Sequence, residues 1–401
     1  MSTLETESSA DLPAVDPLPR TAPSLGRGTT SGPPQAEAGG VLTIDLAAVE
    51  ANWRALSRRT LPSECSAVIK ADAYGCGIEQ VGRALARAGC KTFFVADLSE
   101  ARQLRAVAYD AAIYVLNGVM PSTAAAFADV HARPVIGSLG ELAEWDAFVS
   151  ANNWHGGAAL QVDTGMNRLG VSAEEAAAIA PRIRSENHGI TLLMSHLACA
   201  QLQEHPLNER QIKLFREVRM LYRGIPGSLA NSSGIFLGQA AYCDMVRPGA
   251  ALFGVNPTPD RGNPMRPVVE LQARVVHVRS VQRGETVGYD AQWTAKSNTR
   301  IAIAAVGYAD GYLRAASASD TVAGGEAILA GKRCRLAGRV SMDLLAIDIS
   351  DLAEGAVRRG DMATLIGDEL TVDDLAATAG TIGYEVLTSL GRRYHRIYRT
   401  E

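Results

Sequence analysis

The sequence predicts an α/β fold, a (β/α)8 TIM-like barrel, followed by a mainly β C-terminal domain, and three observations predict it. Between residues 41 and 266, eight short apolar, β-favouring runs alternate with Ala- and Leu-rich stretches whose apolar residues recur three and four apart. Beyond residue 266 the texture changes to alternating strand patterns with few helical ones. The chain has 401 residues, 47% of them hydrophobic, which is enough to bury a core for two domains.

The elements follow in order. Residues 1–40 hold six prolines, many Ser, Thr and Gly and no aromatic residue, so they cannot bury enough apolar area to offset chain entropy. They read as a disordered tail, with a docking segment as the alternative. The barrel strands are expected at "AVIKADAY" (67–74), "FFVAD" (93–97), "AIYVLNG" (112–118), "PVIGS" (134–138), "AALQVDTG" (158–165), "ITLLMSH" (190–196), "GSLANSS" (227–233) and "MVRPGAALFG" (245–254). Between them, "GIEQVGRALARAG" and "SLGELAEWDAFVSAN" each place one apolar face on a helix. Eight such units suit a closed barrel better than an open doubly wound sheet. The domain from 267 to 401 reads as strands through "ELQARVVHVRSV", "TRIAIAAVGYADGY", "CRLAGRVSMDLLAIDIS" and "MATLIG".

Charge narrows the partners. A net charge of −4 gives no reason to expect nucleic acid or an anionic membrane, which leaves small molecules or proteins. No run approaches the length of a membrane span, and the first 30 residues lack a basic start and an apolar run, so a cytoplasmic location is expected. The six cysteines form no CxxC, which suits a reducing compartment, and no HExxH is present, so no metal is expected.

A barrel of this kind gathers its chemistry at the carboxyl ends of its strands. The polar residues there are Lys70 with Tyr74, Asn117, Ser138, Arg168, His196, Asn231 with Ser232, and Arg247 with Gly249. Lys70 emerges from an apolar run, where desolvation lowers an amine's pKa and makes it a nucleophile toward carbonyls. Composition alone favours a lysine that snorkels from a strand end.

Position by position, "AVIKADAYGCG" (67–77) resembles the cofactor-lysine motif of the alanine racemase family. The resemblance continues in family order through "VDTGMNRLG" (162–170), "SHLACA" (195–200), "ANSSG" (230–234), "VRPGAALFGVNP" (246–257), "VGYDAQW" (287–293), "GYADGYLR" (307–314), "GRVSMDLLAID" (338–348) and "IGYEVLTSL" (382–390). It implies that Lys70 holds pyridoxal 5'-phosphate as a Schiff base. Tyr74, Asn231, Ser232, Gly249, Ala250 and Tyr384 match contacts to the phosphate. Arg247 matches the arginine that donates to the pyridine nitrogen, and His196 the histidine stacked on the ring. Arg168, the backbone of Met342 and Tyr308 match residues around the substrate carboxylate.

Racemisation moves a proton from one face of an α-carbon to the other, so it needs two acid-base groups. The resemblance assigns Lys70 to one face and Tyr289 to the other, with Tyr289 and Met342 reaching the partner subunit of a homodimer. A phenol acting as base implies cationic neighbours, with Arg247 and His196 as candidates. Arg314, Arg339 and Asp343 match residues at the entrance or form surface ion pairs. The implied activity interconverts L- and D-alanine and supplies D-alanine for peptidoglycan. Alternatives are a decarboxylase of the related barrel family, which Arg247 argues against, a broader-specificity racemase, and a non-enzymatic cofactor-holding barrel.

Three positions depart from the family pattern: Phe253, where the family usually has tyrosine, and Ser341, often cysteine, remove no catalytic group, and the third bears on Arg168. Where many members carry a carbamylated lysine that braces the arginine, this chain has Gln161. Bracing of Arg168 is expected from Gln161 alone or from a small bound anion.

Overall fold

The computed structural model describes residues 29–186 and 189–400; most of the expected tail, residues 1–28, lies outside the described residues. The barrel is present. Parallel strands Thr92–Val95, Ala112–Val115, Arg133–Ile136, Ala158–Gln161, Ile190–Met194, Gly227–Asn231 and Met245–Arg247 follow one another around a ring. The ring closes through one strand interrupted at Ser66. Its first half, Glu64–Cys65, pairs with Met245–Arg247, and its second half, Ala67–Val68, pairs with Thr92–Val95.

Every expected run supplies a strand, because side chains buried on both faces read as continuous apolar stretches. Phe94, Tyr114, Val135, Leu192, Met194 and Met245 fill the interior as one buried cluster, with the Phe94 and Tyr114 rings stacked at 5.0 Å. This packed layer is the floor of the cavity described below.

Outside the ring lie helices with legible boundaries. Ile78–Ala88 buries Ile78, Val81, Ala84 and Leu85 on one face and ends at Gly89 with φ 108°. After the last two strands only short 3-10 turns follow, Gly234–Leu237 and Ala250–Phe253 among them. Helix Leu46–Thr60 takes the vacant outer position: Asn52 Nδ2 donates to Leu252 O at 3.2 Å and to Arg266 O at 3.0 Å. Its start is set by Asp45, whose carboxylate accepts from Ala48 N at 2.7 Å.

The second domain is a mainly antiparallel sheet built on the 13-residue strand Val269–Val281. That strand pairs first with Gly40–Asp45 and Met362–Ile366, then with Thr299–Ala304. Here the domain boundary departs from the sequence reading. Thr29–Ser31 and Gly40–Asp45 join this sheet on either side of His395–Arg399, rather than forming a tail and the start of the barrel. Pairing between chain segments so far apart leaves no local pattern to read. Expected strand ends are also corrected, most of all at the first barrel strand, which stops at Val68, not at residue 74, and at the eighth, which stops at Arg247, not at residue 254.

Candidate active site

Six of the eight strand ends carry polar side chains that converge on one cavity of about 490 Å³. It is lined by Lys70, Tyr74, Asn117, Gln161, Arg168, His196, Asn231, Ser232, Arg247, Gly249, Ala250 and Tyr384, together with Glu385 and Thr388, which sequence reading did not single out. Ser138 belongs elsewhere. Its hydroxyl caps helix Leu139–Asn152 by accepting from Glu141 N at 3.2 Å.

Beyond the first strand the chain makes a left-handed turn. Ala71, Asp72, Ala73 and Tyr74 have φ values of 55°, 53°, 53° and 54°. For residues with a Cβ each such conformation costs roughly 1–2 kcal/mol, so surrounding contacts have to hold it. Gly75 N donates to Ala71 O at 2.8 Å, Asp72 N to Glu100 Oε1 at 3.1 Å, and Ile78 N to Asp72 Oδ1 at 2.8 Å. The turn sets Lys70 and Tyr74 into the same cavity. Burial holds the Lys70 amine below its ordinary pKa, the Arg168 charge adds to this, and Glu100 opposes it.

Arg247 is buried, only 3% exposed. Its Nη1 donates to Ser228 Oγ and its Nη2 to Ser195 O, both at 2.6 Å, and Nη2 lies 3.4 Å from His196 Nδ1. Among the described residues no carboxylate pairs with it. Burial lowers its pKa to about 10, which still leaves it a cation at neutral pH. A guanidinium has only donors, so the His196 Nδ1 facing it is an acceptor. Burial first, and then the charges of Arg247, Arg168 and Lys70, push the His196 imidazole down to about 3. His196 is therefore neutral, which removes it from the two expected cationic neighbours of a phenol base and leaves Arg247.

At the far end of the cavity the loops are arranged around backbone donors. Ser232 Oγ accepts from Gly249 N at 3.0 Å and Ala251 N at 3.2 Å, and Asn231 Oδ1 accepts from Gly234 N at 2.9 Å. Gly249 is required by space, since a Cβ there would stand 2.4 Å from Tyr74 Oη. The Tyr74 ring lies 4.9 Å from Phe253 and 6.2 Å from Tyr384. Burial pushes both phenols above their ordinary pKa, so each keeps its proton and can donate.

Gln161 makes no hydrogen bond to Arg168 among the described residues. Its Nε2 donates to Leu169 O at 2.8 Å, tying down the loop that carries the arginine rather than the guanidinium itself. The cavity thus gathers Lys70, Arg168 and Arg247 without a paired carboxylate among the described residues, a setting for anionic groups.

Tyr289, Tyr308 and Met342 stand apart from this cavity. They project from loops of the β domain, 67%, 41% and 54% exposed. The loops themselves are ordered by ion pairs. Arg339 Nη1 meets Asp290 Oδ2 at 2.9 Å beside Tyr289, and Arg393 donates to Asp310 Oδ1 at 2.6 Å and Asp343 Oδ1 at 2.8 Å. Of the three residues expected at the entrance, Arg339 and Asp343 are thus engaged in ion pairs.

Comparison with known proteins places the chain in a family. A model of the alanine racemase N-terminal domain matches residues 44–257, and one of the C-terminal domain matches residues 268–398. The alanine racemase of Methylobacterium nodulans is 52% identical over 360 residues, 90% of this chain and 96% of that one. That of Rhizobium meliloti is 44% identical, covering 89% and 96%. Among solved structures, alanine racemase from Bartonella henselae with covalently bound pyridoxal phosphate superposes with a TM-score of 0.85 at 36% identity, covering 90% of this chain and 99% of that one. The biosynthetic enzyme from Pseudomonas aeruginosa gives 0.83 at 37%, with the same coverage.

Proposed function

Since the chain belongs to the alanine racemase family of pyridoxal-phosphate-dependent racemases, we propose that its barrel cavity and the Tyr289 loop of a second subunit together invert the α-carbon of alanine. The observation that carries this reading is the split between the two sets of residues. Lys70 stands in a cavity its own chain builds, while Tyr289 is 67% exposed on its own chain.

The cavity fits the cofactor. It offers an amine with a lowered pKa, a buried guanidinium without an anionic partner among the described residues, two protonated phenols and a glycine where any Cβ would strike Tyr74. Bound there, pyridoxal phosphate supplies the electron sink that makes the substrate's Cα proton labile. Lys70 would make the covalent attachment. Tyr74, Tyr384, Asn231, Ser232 and the backbone at Gly249 and Ala250 would hold the phosphate through convergent donors. Arg247 would direct a guanidinium N–H at the pyridine nitrogen and, staying protonated, would leave that nitrogen without a proton. Neutral His196 would lie against the ring without adding charge.

Arg168 binds the substrate carboxylate with the Met342 backbone and Tyr308 of the second subunit. Lys70 takes or returns the proton on one face of the α-carbon, and Tyr289 of the second subunit does so on the other. The active site is thus shared across a homodimer in the cytoplasm, and D-alanine goes to peptidoglycan. Among the described residues no helix is long and apolar enough to cross a membrane.

Subunit mixing tests the shared site. Lys70→Ala and Tyr289→Phe dimers are each expected to be nearly inactive, and dissociating and reassociating an equal mixture should restore about a quarter of the wild-type rate, from the one intact site in each mixed dimer. No recovery in verified mixed dimers would show that Lys70 and Tyr289 do not come from different subunits.

A further inference from the structure

The strained turn behind Lys70 is held from the other domain. At its leading end Glu100 accepts from Asp72 N at 3.1 Å and from Ala96 N at 2.7 Å, tying the turn to the end of the neighbouring barrel strand. At its trailing end stands Arg396, from the β-domain strand His395–Arg399. Its Nη1 donates to Gly75 O at 2.6 Å, and its Nη2 donates to Gly391 O at 3.0 Å and Leu390 O at 3.2 Å. Arg396 is 8% exposed and forms no ion pair among the described residues.

The placement of those carbonyls decides what the guanidinium does. Gly75 directly follows Tyr74, and Leu390 and Gly391 directly follow helix Gly383–Ser389, which carries Tyr384. The two segments are in contact, since a Cβ on Gly75 would stand 2.4 Å from Leu387 O. One planar, rigid fork therefore fixes the turn and the helix against each other, and with them Lys70, Tyr74 and Tyr384. A lysine has donors enough but no such fork.

We propose that Arg396 is a positioning residue for cofactor capture: it holds the left-handed turn and the Tyr384 helix in register so that amine and phenols face one cavity. This rests on reading that cavity as the pyridoxal-phosphate site.

The test uses the full chain stripped of cofactor and reloaded with pyridoxal phosphate, followed by the visible absorbance of the lysine-bound form. Arg396→Lys is expected to keep the wild-type far-UV circular dichroism but to capture the cofactor on the order of ten- to a hundredfold more weakly, as small misplacements of reacting groups do. Its kcat should fall more than its KM for alanine rises, because Arg168 is untouched. Arg396→Gly should recover capture when guanidinium ion is added. A folded Arg396→Lys that loads like wild type, or a folded Arg396→Gly without rescue, overturns the proposal. So does failure of both variants to fold, which would make Arg396 a folding residue only. A wild-type protein that shows no lysine-bound absorbance would instead sink the reading of the cavity.

Discussion

The barrel cavity and the exposed β-domain loops hold their functional residues in opposite ways. In the cavity, burial by the same chain sets the chemistry: His196 is pushed down to about 3 and Arg247 to about 10, while Lys70 is lowered by desolvation. On the loops, Tyr289, Tyr308 and Met342 stand in solvent, and their own chain fixes only the backbone beneath them. The difference teaches that one subunit can finish the cofactor half of the site by folding. On the proposed reading the second proton-transfer group, Tyr289, waits for association, because its environment has to come from another surface.

The sharpest way to break this comparison is Tyr289→Phe. It is expected to lower racemisation about 10²–10⁴-fold, the range of a lost acid-base group, while cofactor loading and thermal stability stay at wild-type levels. An equal loss of loading would mean that the loop helps to build the cavity. The measurement pairs a racemisation assay with cofactor titration.

A smaller effect is expected at Arg393. It joins Asp310 and Asp343, and the segments they belong to are already linked by Tyr308 N to Ser341 O and Ala309 N to Met342 O, both 3.0 Å. Arg393→Ala should raise KM for alanine about tenfold by loosening both loops at once, with cofactor affinity unchanged. Steady-state kinetics beside cofactor titration distinguishes this from a general loss of structure.

The smallest expected effect separates the cavity by pH. The His196 pKa is depressed from 6.5 to about 3 in the folded state, so the unfolded chain binds an extra proton between those values. Stability then falls as pH drops from 6.5 toward 3, and this contribution is absent above 6.5. In urea unfolding of the apoprotein at pH 7 and pH 5, His196→Gln should show a shallower loss than wild type.

Much of this was legible in the sequence for physical reasons. The barrel strands announce themselves as apolar runs because both of their faces are buried, and the polar residue that closes a run marks the open end of the ring. Ser138 met the same rule and proved to be a helix cap, since an N-capping serine and a strand-end serine look alike in one dimension. The left-handed turn gave no signal: Ala71, Asp72, Ala73 and Tyr74 include no glycine, and only Asp72 tolerates that conformation more readily than most. Glu100, Arg393 and Arg396 were missed because a charge in a short polar stretch reads as a solvated face. The one available hint was Arg396 itself, between His395 and Ile397 in a strand-forming run.

By itself the sequence determined which chemical groups the protein owns, their order along the chain, and the barrel that lines up Lys70, Arg168, His196, Asn231 and Arg247. Only the tertiary structure decided which of them are charged, which backbone is strained, and which residues stand outside the cavity. Protonation and strain depend on desolvation and on donors that arrive from far along the chain, as when Arg396 reaches the carbonyl of Gly75 across 321 positions. No local pattern of residues carries that information.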